Sequence, residues 1–404
     1  MKRSDTVSRE NTDEHALAYG GGEDVTSEPA DASGGTTGSN RLEKIRRSML
    51  LTIVPLVAAM VVGGLLLQIL GRDPIAFYGT MIHRAIISPS GFQETLIRMA
   101  PLLLIAAGLI VAFSAGIWNL GGDGQFMLGA ALVGGLAAAA SDMMPRGLML
   151  VLMLLMAAII GAIWTIIPAL MKAYYGINEI ITTLMMSFVG VNLAALLVKV
   201  VFLDKRPGMQ TPRTRVLDVS DRLPTLFGTR VHVGVVIGIV SVLAVHFMMT
   251  RTSLGLRLKV LGANVKAARH SGLQVSRVII VTFLLSGMFM GLAGGVEVLG
   301  VQGFVRADWN PAFGLVTVPL VFLARMNGWV TIAFVFLLSV LSIGGELATR
   351  EASLPNHFGL LIVALVLLFM TIAEYFEARR LRGDRTVWAT MAERFLLKRG
   401  VAGE

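Results

Sequence analysis

Predominantly apolar runs of about 20 residues recur along the chain, the length a helix needs to cross the hydrocarbon core of a bilayer. They lie near 48–70, 94–113, 123–141, 147–171, 178–203, 231–250, 277–299, 311–325, 328–348 and 358–375. Only 15% of the 404 residues are charged, against about 25% in a soluble domain. A lipid-embedded chain must satisfy its own backbone groups, and runs this long do so as helices. The expected fold is therefore an all-α polytopic membrane protein of about ten transmembrane helices, spanning residues 45–375.

The runs are flanked asymmetrically by charge. "RLEKIRR" precedes the first and "EARRLRGDR" follows the last, which places both termini in the cytoplasm by the preference of Lys and Arg for that side. The loop 251–277, carrying Arg251, Arg257, Lys259, Lys266, Arg269 and Arg277, is then internal, and the long loop 204–230 is external. The net charge of +9 is explained by these anchoring residues and does not call for nucleic acid. Residues 1–40 are polar and nearly free of large apolar side chains, so they read as a disordered cytoplasmic tail before an uncleaved signal anchor. Residues 376–404 form a second cytoplasmic tail, where Val387, Trp388, Met391 and Phe395 share a helical face opposite basic residues, the pattern of an interfacial helix lying on the bilayer.

The chain contains no cysteine, which excludes disulfides and thiolate-held metals or haem, and its six histidines form no ligating pair. No phosphate-binding loop is present: "GGDGQF" lacks the lysine and the strand-to-helix setting. No cofactor is expected, and any use of ATP falls to another chain.

Polar residues inside such runs are costly and mark sites. "FSAGIWNLGGDGQFMLG" places Asn119, Asp123 and Gln125 among glycines that permit a turn at membrane depth. They either cap a tight helix–loop–helix joint or touch a permeating solute. In "YYGINEIITTLMMSFVGVN", Glu179, Thr183 and Ser187 recur at four-residue spacing and form one polar stripe, with Asn178 and Thr182 along its edge. A pathway-lining helix is expected, although Ser and Thr hydroxyls also bond back to their own helix. Asp123 and Glu179 stand near span ends, whereas ion-coupled transporters place acidic relays and broken helices at the midplane. Gly287, Gly291 and Gly295 repeat every fourth residue, a face for close helix packing.

The internal loop contains a short helix former, "VKAARHS", with Asn264 at its N-cap and Gly272 where a left-handed residue ends a helix. A capped helix between spans is a stiff knob suited to transmitting force. The three prolines of the external loop exclude a regular helix there. That loop is either a solvated connector or a docking surface.

At these motifs the sequence resembles the permease subunits of ABC importers in the branched-chain amino acid, ribose and nucleoside group, closest to the nucleoside branch. Gly116 to Ala130 resembles one signature, with Leu120 for isoleucine and Asp123 for glutamate. Gly176 to Phe188 resembles a second, with Ser187 for asparagine, and Gly255 to Leu273 a third. Arg206 to Pro212 loosely follows an external one. The resemblance implies a type II importer-like fold working as half of a transmembrane dimer, with a second, different permease subunit expected. It also implies a cytoplasmic ABC ATPase and an extracytoplasmic solute-binding protein as partners in a bacterial inner membrane. Ala263 to Gly272 would be the coupling helix, seated on the ATPase through Ala263, Asn264, Lys266, Ala267, Ala268, Arg269 and Gly272. The implied solute is a nucleoside, with a simple sugar or a branched-chain amino acid as alternatives. An ion-coupled secondary transporter is the rival from another class.

Overall fold

A computed structural model describes residues 37–206, 211–355 and 357–381. The expected C-terminal interfacial helix lies outside the described residues. So does the expected tail up to residue 36, while residues 37–40 are helical. The chain divides into two units, Met1–Met49 and Leu50–Glu404. Of the first, only the helical backbone from Thr37 onward is described; everything below concerns the second.

That unit is helical, with two isolated bridges and no named strand among the described residues. Among the described residues, seven helical segments are long and apolar enough to cross a bilayer: Pro89–Ser114, Gly122–Ser141, Arg146–Tyr175, Glu179–Val200, Gly234–Arg251, Val275–Gln302 and Gly328–Glu351. The remaining three expected spans coincide with shorter apolar helices, Ile53–Ile69, Phe313–Leu323 and Phe358–Ala373. At 1.5 Å per residue, the 11 residues of Phe313–Leu323 cover only about half of the hydrocarbon core.

In chain order the helices are α1 (Thr37–Ile69), α2 (Pro74–Ile82), α3 (Pro89–Ser114), α4 (Gly122–Ser141), α5 (Arg146–Trp164), α6 (Ile166–Tyr175) and α7 (Glu179–Val200). They continue as α8 (Gly234–Arg251), α9 (Ser253–Ala263), α10 (Val265–His270), α11 (Val275–Glu297), α12 (Phe313–Leu323), α13 (Gly328–Glu351) and α14 (Phe358–Leu381). α3 is the hub: 83% of its apolar window is buried, and α8, α11 and α13 pack around it. α5, with α6, and α7 bury only 28% of theirs and turn apolar faces such as Ile181, Met185, Phe188 and Val189 outward. Such faces are what lipid or a neighbouring subunit covers.

Where α11 packs against α5 and α4, three of its glycines have little room for a side chain. A Cβ on Gly291 would collide with the Ala157 carbonyl and lie 2.8 Å from the Gly161 Cα, and one on Gly287 would strike the Gly161 carbonyl. One on Gly295 would lie 2.7 Å from the Ala157 side chain. With no hydrophobic drive between helices in lipid, this close backbone approach supplies the packing energy.

The described part of the loop after α7 lies as a plate on the segment that follows α11. Thr214 N donates to the Val305 carbonyl at 2.9 Å, Leu217 N to Gly303 at 2.8 Å and Leu223 N to Leu299 at 2.9 Å. His232 is buried at its edge, with Nδ1 accepting from Gly234 N at 3.1 Å, and burial lowers its pKa to about 4, so it is neutral near pH 7. Of the segment Arg206 to Pro212, residues 207–210 lie outside the described residues.

Candidate functional site

α3 ends at Ser114, and Gly116 turns the chain with φ +69°, a conformation that suits glycine. The chain then runs non-helically to Gly121 before α4 begins. At this turn the backbone rests on α9: a Cβ on Gly116 would lie 3.1 Å from the Gly262 Cα, and one on Gly262 would strike the Ser114 carbonyl.

Beyond the turn the chain re-enters the bundle. Asn119 is fully buried and exchanges amide hydrogen bonds with Gln125, its Oδ1 accepting from Gln125 Nε2 at 3.1 Å and its Nδ2 donating to Gln125 Oε1 at 3.3 Å. Its Nδ2 also donates to Ser286 Oγ at 3.0 Å, and its Oδ1 accepts from Gly121 N at 3.1 Å. Ser286 lies near the middle of the 23-residue helix α11. The joint therefore reaches the middle of α11: Asp123 stands at a span end, as its place in the run implies, and that end lies inside the bundle. The run 94–113 and the run from 123 are separated by a re-entrant segment that hydropathy alone cannot distinguish from a surface loop.

Asp123 occupies the first turn of α4, and its Oδ1 accepts from Gly314 N, in the first turn of α12, at 2.7 Å. Two helix N-termini converge on one carboxyl group. Each presents unpaired N–H groups and a positive dipole end, which an acidic side chain satisfies.

The polar stripe of α7 faces this same joint. Thr183 Oγ1 accepts from Leu120 N at 3.1 Å while donating to the Glu179 carbonyl at 2.6 Å. Ser187 Oγ accepts from Gly124 N at 3.1 Å. Glu179 pairs with Lys172 of α6 at 2.6 Å. Asn178 is the N-cap of α7, accepting from Ile180 N at 2.9 Å, and Thr182 bonds back to the Asn178 and Glu179 carbonyls at 3.3 Å. Asn119 and Gln125 thus bond each other, Thr183 and Ser187 hold the joint's backbone, and Asp123 ties it to α12, whereas Glu179, Asn178 and Thr182 serve the start of α7. Trp118 packs on Phe113 and Phe322, with ring centroids 5.4 and 4.9 Å away, while Tyr174 and Tyr175 stand exposed at the end of α6.

On the other side of Gly262, α9 leads into α10. The loop 251–277 thus holds two helices where the sequence pointed to one. Asn264 Oδ1 accepts from Lys266 N at 2.9 Å and from Ala267 N at 3.1 Å. Gly272 has φ +79°, and Leu273 N closes the end on the Ala268 carbonyl at 3.1 Å. Ala268 is fully buried against the bundle, while Lys266, Ala267 and Arg269 are exposed.

A separate cavity is lined by none of these residues. That space, about 650 Å³, lies between α3, α13, α14 and the approach to α12, with Arg98, Asn310, Phe313, Ser342, Glu346 and Arg350 on its walls. Sequence inspection missed it, although Arg98 and the Glu346–Arg350 pair interrupt apolar runs and carry the same signal as Asp123.

With this geometry in view, the relationship to known proteins is clear. Residues 91–371 match the family described as the branched-chain amino acid transport system permease component. The chain belongs to this permease family. The glucose ABC transporter permease protein of Haloferax volcanii is 33% identical, over 81% of this chain and 88% of its own length. The nucleoside ABC transporter permease protein of Lactococcus lactis is 26% identical, over 81% and 91%. The guanosine ABC transporter permease protein of Bacillus subtilis is 25% identical, over 80% and 92%. The permease is therefore a multi-pass membrane protein of the ABC importer type, and the resemblance read from its motifs is to the correct family.

Proposed function

We propose that this permease forms half of the membrane passage of an ATP-driven importer and carries a neutral, hydroxyl-bearing solute, with a nucleoside as the first candidate and a simple sugar as the second. The single observation that carries the mechanism is the chain of contacts from α10 through α9 to the joint. α10 is a capped knob, exposed on every side but that of Ala268. α9 joins it to Gly262, and Gly262 touches Gly116 backbone to backbone.

In this reading both termini and the loop 251–277 are cytoplasmic, and a partner ATPase grips α10 through Lys266 and Arg269. Hydrolysis takes place on that partner, and this chain moves. An extracytoplasmic binding protein delivers solute to the plate formed by the loop 204–230, and a second permease subunit covers an outward apolar face of the bundle. Asn119, Asp123, Gln125, Thr183 and Ser187 shape the passage by holding the re-entrant joint, with Asn178, Glu179 and Thr182 anchoring the neighbouring helix. A push on α10 has an effect only if the ATPase contacts differ between its nucleotide states.

Ala268 is the point to perturb. An Ala268→Arg variant forces a charged side chain beneath the knob and lifts α10 from the bundle. ATP-dependent uptake is expected to fall by more than about tenfold, in line with losing a coupling of 1–3 kcal/mol, while the permease remains in the membrane. Undiminished uptake with the ATPase still co-purifying would remove the role given to α10. Uptake into proteoliposomes driven by a pH or Na⁺ gradient without any ATPase would favour the ion-coupled rival instead.

A further inference from the structure

We infer that the cavity between α3, α13 and α14 is a solute site for neutral, hydroxyl-rich ring compounds, entered from the extracytoplasmic side. Its size suits the task, since small-molecule sites enclose about 300–1,000 Å³, and this one is about 650 Å³. A second space of about 230 Å³ shares Arg98, Glu346 and Arg350 with it and reaches the buried Glu297.

The charges on these walls select the ligand. Glu346 sits between two guanidinium groups, 3.7 Å from Arg98 and 2.5 Å from Arg350. Arg230 pairs with Glu94 at 3.4 Å, and Glu297 accepts from Gln302 Nε2 at 3.1 Å. Three arginines thus face three glutamates across the joined spaces. An anion entering here meets the carboxylates and a cation meets the guanidinium groups, so neither finds a net attraction. A neutral polyol finds both halves of its hydrogen-bonding need. Adjacent hydroxyls donate to the two oxygens of Glu346, and ring or hydroxyl oxygens accept from Arg98 and Arg350. Arg98 lies 5.3 Å over the Phe313 ring, which offers an apolar face for the flat side of a sugar or a base when the guanidinium swings away. A pentose or hexose diol is common to sugars and nucleosides, so this chemistry covers both. A branched-chain amino acid has no diol, and its carboxylate and ammonium can be held only by displacing the partners within the Arg98–Glu346–Arg350 set, so leucine is the discriminating comparison. The inference rests on the importer reading only for the side from which solute arrives.

The absence of cysteine from the whole chain makes the test clean. A Ser342→Cys variant of the full permease, expressed with its partners, is treated in intact cells with a membrane-impermeant thiol reagent. Labelling is expected from outside. D-glucose or uridine at ten times its dissociation constant is expected to slow labelling by about tenfold through simple occupancy. L-leucine and uridine monophosphate are expected to leave the rate unchanged, and adding Glu346→Gln is expected to abolish the protection. Leu360→Cys, on the α14 wall, gives the same readout if Ser342→Cys does not assemble. No protection by glucose or uridine, or equal protection by leucine or the monophosphate, overturns the site. ATP-dependent uptake of glucose or uridine by unmodified cells without protection leaves the importer standing and removes the cavity. Protection without ATP-dependent uptake does the reverse.

Discussion

A Gly262→Val variant is expected to assemble in the membrane and bind its ATPase, yet to lose transport. Gly262 has no room for a side chain: a Cβ there would strike the Ser114 carbonyl and lie 2.9 Å from the Ala115 carbonyl carbon and the Gly116 nitrogen. A valine must therefore part α9 from the end of α3. The obstacles are backbone atoms rather than flexible side chains, so the strain is relieved by moving a whole element, at a cost of about 1–3 kcal/mol. The consequence is specific because α10 and its caps are untouched. Uptake is expected to fall by about ten- to a hundredfold, the range spanned by a lost coupling of that size. ATP hydrolysis by the complex is expected to continue without solute movement. Normal uptake by Gly262→Val would show that force does not pass through this contact. Failure of the ATPase to co-purify would place the contact in assembly instead.

The second large effect is expected at Asp123, where two substitutions separate acceptor from charge. Asp123→Ala leaves the Gly314 amide, now bonded at 2.7 Å, without a partner in the middle of the bundle. A buried unmade hydrogen bond costs about 1–3 kcal/mol, and two helix N-termini lose the acidic group that faces their dipoles, about another 1 kcal/mol. Uptake and the amount of folded permease are both expected to drop by more than about tenfold. Asp123→Asn keeps an oxygen in the same place and surrenders only the dipole contribution, so uptake within about threefold to fivefold of the unaltered chain is expected. Equal damage from both would assign the residue a charge-dependent task. No damage from alanine would mean that α12 holds its position by packing alone.

Several of these features were legible in the sequence, each for a physical reason. The apolar runs revealed the membrane class because lipid penalises every alternative to a helix over such lengths. The stripe Glu179–Thr183–Ser187 was readable as one face because helical spacing alone determines it. The caps of α10 were readable because Asn264 and Gly272 act within a few residues of themselves. What the stripe faces was not readable, since Thr183 bonds to Leu120 and Ser187 to Gly124, each 63 residues away. Nor was the depth of Asp123, which depends on its meeting Gly314, 191 residues along the chain. α9 escaped notice because Ser253–Ala263 mixes Arg257 and Lys259 with apolar residues and lacks the length of a span. Phe313–Leu323 was extended into a full span because hydropathy registers an apolar run without showing where the helix stops. The cavity was hidden for the same reason as the stripe's partner: Arg98 and Glu346 belong to runs far apart in sequence, and only the fold places them 3.7 Å from each other.

The most direct test of the central claim, that a cytoplasmic peg drives an engineless bundle, is the sidedness of α10. Arg269→Cys, the sole thiol in an otherwise cysteine-free chain, is exposed to an impermeant maleimide before and after the cells are permeabilised. No labelling is expected in intact cells, and rapid labelling once they are opened, slowed when the ATPase is bound. Labelling of Arg269→Cys in sealed cells would place the peg on the wrong face of the membrane, out of reach of any cytoplasmic ATPase.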